Sequence, residues 1–567
     1  MTRESQVLHY PTADRRSLRR VWSRLADCIA LRTAWLAPSA TGFVFKPEPK
    51  FHGEAALGLQ LLDGHYLVRG NIHEKPGSTP WGLKNLDADQ LMHLHGFTWL
   101  DDVAAVDTPE ARAKVQAWVF DWIERYGRGR TEGWAADLVG QRVIWWINHA
   151  ILILHEVEQA QSELFFRSLS HQARFLRKRW KSVRPGLRRF EALTGLVYSG
   201  LLLQAHGDLF KPALKLLGRE CAREIGVDGS ISSRNPEELA KIFILLSWVN
   251  QVISDQKQTA NSEILLALER LTPAIRALRL GDGSMAQFHG GATGQPGRVD
   301  QALADVGIRN AARIGGSMGY SRLSALGTVL VMDTGKMPAI EHLHNAHAGV
   351  LSFEMSSGRM PVLVNMGPAH GHMPKVKNES RATSAHNASV LDKTSSARFI
   401  GNGRALQWIA VPSQVTMQKN NNEFGQAILA QHDGYRQSHG LIHERQLALV
   451  HAGNEVQGEE RFFARTTAQR VRFGGRADEK GKIPFATHFH VHPDAHVTLL
   501  SQGSIASIVL QNDEYWFLRS DGNKIELRDT IFIEQGRIKP RATQEIVVMG
   551  FVVNYEGRIS WTLTRQT

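Results

Sequence analysis

At 567 residues the chain exceeds what one hydrophobic core organises, and 43% apolar composition with 14 Trp and 23 Phe excludes a disordered polypeptide. Its two cysteines, Cys28 and Cys221, lack CxxC or Cys/His spacing, which excludes a disulfide framework and a zinc finger and reads them as core thiols. A formal net charge of +12 favours a polyanionic partner: nucleic acid, an anionic membrane surface or an acidic polysaccharide.

Residues 1–105 lack a clean period and carry Lys46-Pro47-Glu48-Pro49-Lys50 and Gly77-Ser78-Thr79-Pro80, which predicts an extended cap on the following helices. Between Leu18 and Leu36, Arg19, Arg20, Arg24 and Arg32 interrupt any apolar run that could form a signal-peptide core or membrane span. A cytoplasmic protein is expected, with a periplasmic one as the alternative.

Residues 106–285 repeat a helical period. Val115, Trp118, Val119 and Trp122 mark one apolar stripe, and Val143, Trp146, Ile147 and Leu152 another. Short breakers such as Arg184-Pro185-Gly186 and Val227-Asp228-Gly229-Ser230 separate these blocks, which suits a toroid of antiparallel helix pairs. The densest basic run, Arg174 to Arg189, lies within this pattern. It reads as a solvated helix face or as a stripe turned toward an anionic ligand, in which Arg188 and Arg189 are candidate binding residues. Asn148 and His149 read as core or helix-surface residues.

Glycines 281, 283, 290, 291, 294 and 297 crowd around Pro296, predicting the junction between the two halves. From 300 to 567 short β-branched runs take over, as in Thr328 to Asp333 and Gln544 to Met549, predicting a large antiparallel β-sandwich. The fold class is therefore multidomain α+β, an N-terminal (α/α) toroid followed by a C-terminal antiparallel sandwich.

Histidine is concentrated in the second half. His342, His344, His347, His370, His372 and His386 fall within 45 positions, a density that points to a site moving protons or binding metal, with His344 and His347 as catalytic candidates. His488, His490 and His492 alternate along a strand and so share one face, as a buried polar network or a site wall, with His490 a candidate binding residue.

The run His347 to Gly358 (HAGVLSFEMSSG), then Leu363 to Gly367 (LVNMG) and Arg381 to Asn387 (RATSAHN), resembles the H-A-D-x-L-S-F-E, V-D-P-G and R-x-x-x-x-H-N-T segments of the heparinase II/III family of polysaccharide lyases. Tyr435, His443-Glu444-Arg445 and Trp516 continue it more weakly. The resemblance implies a toroid and sandwich with an acidic polysaccharide or oligosaccharide bound between them and cleaved by β-elimination beside a uronate. That chemistry needs a carboxylate neutraliser, a base for the C5 proton and an acid for the leaving oxygen.

The family commonly takes an Asn-His pair and a Tyr from the helical half, and a His from the sandwich. Here the pair falls on Arg188-Arg189, and Ser232-Ser233-Arg234-Asn235 stands where the Tyr is expected. Arg234, Asn235, His289 and Tyr435 are the substitutes, with His386 lining the substrate. Some members hold a structural divalent metal, zinc or calcium. The matching positions are His347, Asn365 and His386, although Gly349 and Asn365 replace two acidic residues. The alternative is a non-catalytic protein that binds an acidic glycan on the same fold. No RNP aromatic motif or helix-turn-helix pattern supports nucleic acid as the partner.

Overall fold

Apolar residues at helical spacing build a layer of paired helices: α1 (Ala55–Leu62), α2 (Ala88–Gly96), α3 (Pro109–Tyr126), α4 (Ala136–Asn148), α5 (Gln159–Arg179), α6 (Leu187–Leu202), α7 (Phe210–Glu224), α8 (Pro236–Asp255), α9 (Ser262–Ala277) and α10 (Arg298–Val306). The computed structural model describes residues 25–35, 38–68, 71–74, 79–86, 88–129, 132–295, 297–309, 316–369, 374–400, 407–521, 524–537 and 539–566. Local chemistry fixes the helix starts. Thr108, Asn235 and Asn261 each accept a backbone N–H of the first turn, and Pro109 and Pro236 sit where a missing N–H costs nothing.

The helical core is aromatic. Trp99, Trp122 and Trp146 are buried with Phe97, and Arg142 lies fully buried with its guanidinium 4.1 Å over the Trp122 ring. Arg142 donates to Gln172 Oε1 and to the carbonyls of His95 and Gly133, so this charge is hydrogen-bonded.

α4 and α6 approach closely enough that a Cβ on Gly140 would stand 2.5 Å from Ala192 Cα. Gly140→Ala is therefore expected to force the pair apart and cost about 1–3 kcal/mol. A urea midpoint equal to the parent's would contradict this packing.

The described residues before 106 include the helices α1 and α2 rather than only extended chain, and Trp81 and Trp99 enter the same core. A period is hard to see there because the elements last only two or three turns. Cys221 is buried as expected, whereas Cys28 is exposed.

Residues 278–295 form no helix, and Gly283, Gly290, Gly294 and Gly297 have positive φ. This segment passes between the halves. Beyond α10 a four-stranded sheet runs β1 (Tyr320–Ala325), β2 (Thr328–Asp333), β3 (Phe353–Ser357) and β4 (Met360–Leu363) in spatial order.

Twelve further strands form the sandwich: β5 (Ser389–Leu391), β6 (Val415–Asn421), β7 (Gly425–His432), β8 (Ile442–Val450), β9 (Glu455–Phe463), β10 (Lys482–His490), β11 (His496–Leu500), β12 (Ile505–Val509), β13 (Tyr515–Ser520), β14 (Ile525–Phe532), β15 (Arg541–Val553) and β16 (Glu556–Arg565). One run is ordered β6-β7-β8-β9-β16-β13-β12-β11. A second, β5-β10-β15-β14, joins it through the β15–β16 turn. Buried and less buried positions alternate along β8, as a strand with one face on the core requires. Every paired strand is antiparallel, so the toroid-and-sandwich class expected above is the observed fold.

A buried ionic cluster knots the sandwich. Arg445 donates to Glu460 at 2.6 Å and to the carbonyls of Leu351 and Asn387, while His443 contacts the other Glu460 oxygen at 2.9 Å. Arg445 thereby ties β8 to the loops that carry the histidines.

Candidate functional site

The candidate site forms where the turn before α8, the glycine-rich junction and two sandwich loops converge. Arg234, with φ 51°, is held in a left-handed conformation. Its Nη2 donates to Asp333 Oδ1 at 2.5 Å and to the Gly319 carbonyl at 3.1 Å, its Nε donates to the Met318 carbonyl, and Nη1 reaches the Lys336 carbonyl. The guanidinium also stacks 4.7 Å over the Tyr320 ring. Glycine is required beside it, since a Cβ at Gly335 would lie 2.5 Å from Nη2.

Asp333 is fully buried at the end of β2, and His289 Nε2 lies 3.3 Å from its second oxygen. The His289 Nδ1 accepts the backbone N–H of His347 at 3.2 Å, and its Nε2 faces both Asp333 and, at 3.2 Å, Arg234 Nη1. Burial pushes the Asp333 carboxyl up, and Arg234 and His289 outweigh it, holding the group below the usual carboxylate range. Both ring nitrogens of His289 are thus engaged. Asn235 is engaged as well: its oxygen caps α8 and its amide donates to the His289 carbonyl.

His347 differs. The His386 Nδ1–H must donate to the Ala382 carbonyl at 2.7 Å, because a carbonyl only accepts. His386 Nε2 is then an acceptor and receives the Nδ1–H of His347 at 3.1 Å. That leaves His347 Nε2 with a lone pair and no hydrogen-bond partner among the described residues. The His347 pKa is held well below that of a free imidazole, first by burial and then by the charges of His386, Arg381 and His289. His386 is likewise pushed down to about 4, mainly by burial. Both rings are neutral at pH 7, the state a proton acceptor needs.

Arg381 fixes the loop beneath them, donating to the carbonyls of Ala346 and Leu343. Nearby, Glu354 accepts the backbone N–H groups of Asn365 and Gln287, each at 2.8 Å. Burial pushes its carboxyl up to about 8, against the pull of those two donors.

His344 lies on the rim with its Nδ1–H on the Glu341 carbonyl. Its pKa is lowered first by partial burial of the ring and then by Arg184, an exposed guanidinium on the loop before α6. A Cβ on neighbouring Gly186 would lie 3.5 Å from His342. The Arg184–Gly186 turn and the His342–His347 loop are therefore the two lips of the crease between the halves.

The structure does not gather the other candidates here. Tyr435 is fully buried in the sandwich, its hydroxyl donating to the Ser389 carbonyl. Arg188 pairs with Glu191 at 3.1 Å, and Arg189 donates to the Val183 carbonyl. Most of the basic run is spent on its own surroundings: Arg174 and Arg177 bind Asp208, and Arg179 binds Asp27. Asn148 and His149 are core residues, with His149 2.7 Å from Asp101. His490 lies behind His386, its Nε2 2.8 Å from the Ser384 carbonyl. His370 and His372 lie outside the described residues.

The donor set His347, Asn365 and His386 does not fit a metal ion. The Asn365 oxygen accepts the Asn387 N–H at 3.1 Å, its amide donates to the Gln287 carbonyl, and the two histidines bond each other. At Gly349, where the resembling motif has an acid, a Cβ would come within 2.9 Å of the His386 ring. No carboxylate joins the trio, which offers one unengaged lone pair, on His347.

Sequence reasoning missed Asp333, Tyr320 and Glu354. The signal for the two acids is a lone carboxylate in a strand with no other charged residue, in Thr328 to Asp333 and in Phe353 to Ser357.

Residues 308–562 match the family described as heparinase II/III-like, C-terminal. FtsZ-localized protein C of Caulobacter vibrioides is 26% identical over 532 residues, spanning 92% of this chain and 89% of that protein. The crystal structure of heparinase III superposes with a TM-score of 0.69 at 11% identity, covering 95% of this chain and 89% of that one. A mutant heparan sulfate lyase from Pedobacter heparinus superposes at 0.57 and 12% identity, covering 96% and 88%. These structural likenesses establish a shared fold.

Proposed function

We propose, taking as premise that residues 308–562 are a heparinase II/III-like C-terminal domain, that the chain cleaves an acidic, uronate-containing polysaccharide by β-elimination, with His347 as proton acceptor. One observation carries this reading: the hydrogen-bond chain from Ala382 through His386 to His347 leaves the Nε2 lone pair of His347 without a partner among the described residues. In the reaction His347 Nε2 takes the C5 proton, the C4–O bond breaks as the C4=C5 double bond forms, and the imidazolium returns its proton to the departing oxygen. Arg184, across the crease, is the cation that would meet the substrate carboxylate. The net charge of +12 draws such a chain in.

A second reading is favoured by different observations. Arg234, Asn235 and His289 are all engaged in structural bonds, which suits a protein that binds acidic glycan without cleaving it. The cavity bordered by Gly186, Ser233 and His342 measures about 10 Å3, and a second, bordered by Lys50, Tyr198 and Asp255, about 50 Å3. Saccharide-sized pockets run to roughly 300 Å3 and more, so a glycan would have to lie along the open crease. The name of the Caulobacter relative, an FtsZ-localized protein, adds an association with FtsZ to be tested under this reading.

Incubating the protein with heparin, heparan sulfate, chondroitin sulfates, hyaluronan and alginate separates the two. Ultraviolet-absorbing unsaturated ends from at least one of them are expected; binding without such ends would establish the second reading instead.

A further inference from the structure

His488 and His490 point to the same face of β10, with ring planes 15° apart, and Glu545 faces them from the paired strand β15, opposite His490 in register. The carboxylate Oε2 lies 2.9 Å from His488 Nδ1 and 3.4 Å from His490 Nε2. All three side chains are buried, at 6%, 2% and 9% exposure. We propose that His488, His490 and Glu545 bind a divalent transition-metal cation of the zinc class.

Three observations converge on this. The three ligand atoms lie within 4.8 Å of one another, and donors about 2.0–2.2 Å from a tetrahedral zinc stand roughly 3.3 Å apart. Glu545 is a buried carboxylate that no Lys or Arg pairs with among the described residues. Arg528, its register partner on β14, is turned to Glu526 at 2.9 Å. Buried charges are paired or coordinate metals, and a cation supplies a positive charge beside Glu545. Finally, two nitrogens and one carboxylate oxygen favour zinc, nickel or cobalt over magnesium or calcium.

The Ser384 carbonyl, 2.8 Å from His490 Nε2, or a water completes the coordination. On binding, the N–H protons that now face Glu545 and Ser384 move to the other nitrogen of each ring, so that each coordinating nitrogen presents a lone pair to the cation. Its consequence is structural. It ties the β10–β15 pair to the turn Thr383–Ala385, which leads into His386. The site is thus distinct from the His347, Asn365 and His386 trio, and the two assignments predict opposite mutational patterns.

The test uses untagged, full-length protein, stripped with chelator and titrated with Zn2+ against a chromogenic chelator, with metal content read by mass spectrometry. One equivalent of bound Zn2+ and a rise in melting temperature are expected for the parent and for His347→Ala. His490→Ala and the near-isosteric Glu545→Gln should lose both, while Glu545→Gln remains folded by circular dichroism. A parent that binds no Zn2+ overturns the proposal. So does Zn2+ retained in folded Glu545→Gln, or lost only in His347→Ala.

Discussion

Asp333→Ala is expected to destabilise the protein by about 3–5 kcal/mol, because it leaves a buried guanidinium without its counter-charge. Asp333 has 0% exposure, and Arg234 reaches it from the turn that starts α8, with Tyr320 stacked beneath and its hydroxyl donating to the Arg234 carbonyl. This contact locks the helical layer onto the four-stranded sheet. Arg234→Ala strands the opposite charge and costs a similar amount. The double variant should cost clearly less than the sum of the singles, because the second truncation removes a group already unpaired. Urea unfolding of the three variants checks the claim. Additive losses, or a midpoint unchanged in Asp333→Ala, would mean that the latch contributes nothing.

Acid should unfold the protein well before its surface carboxylates are all protonated. His95 is buried in the aromatic cluster, where its Nδ1 accepts the Trp122 indole N–H at 2.9 Å, and burial followed by the Arg142 charge pushes its pKa down to about 3. His206 is pushed down to about 4, again mainly by burial, and neither of its ring nitrogens has a hydrogen-bond partner among the described residues. A histidine with a depressed folded pKa contributes stability that is present above its unfolded value, near 6.5, and lost as pH falls through the folded one. For His95 alone the loss is on the order of 4 kcal/mol, a large part of the 5–15 kcal/mol typical of a domain. His289, His347, His432 and His443, all lowered by burial, act in the same direction.

Glu354 acts oppositely. Its raised pKa makes its contribution complete below about 4.5 and lost as pH rises through about 8. Urea midpoints should therefore fall steeply on the acid side and gently toward alkaline pH, and Glu354→Gln should flatten the alkaline limb alone. A midpoint that rises continuously from pH 7 down to about pH 4 would contradict the burial of neutral histidines.

The architecture was legible because it is written in local pattern. Val115, Trp118, Val119 and Trp122 do form the buried stripe of α3. The motif His347 to Gly358 places β3 and its loop correctly for the same reason. The site was less legible because its partners are distant in sequence and chosen by tertiary geometry. Nothing local to Arg234 indicates Asp333, 99 positions on, and nothing local to His347 shows that its lone pair survives while those of His289 do not. Tyr435 looked chemical from its neighbours, yet its hydroxyl is spent on a backbone carbonyl inside the sandwich. From sequence the basic run of α5 reads as a solvated face or a ligand stripe, because charge counts cannot reveal that Asp208 and Asp27 fold back onto it.

The central claim is that His347 carries the proton transfer. It is tested by the initial rate of unsaturated-end formation for the parent and for His347→Ala, on whichever glycan the parent cleaves. Because His347 Nε2 has no hydrogen-bond partner among the described residues, the substitution should leave the fold intact by circular dichroism and lower the rate by about 10²–10⁴-fold. A folded His347→Ala protein that turns over at the parental rate would contradict the account.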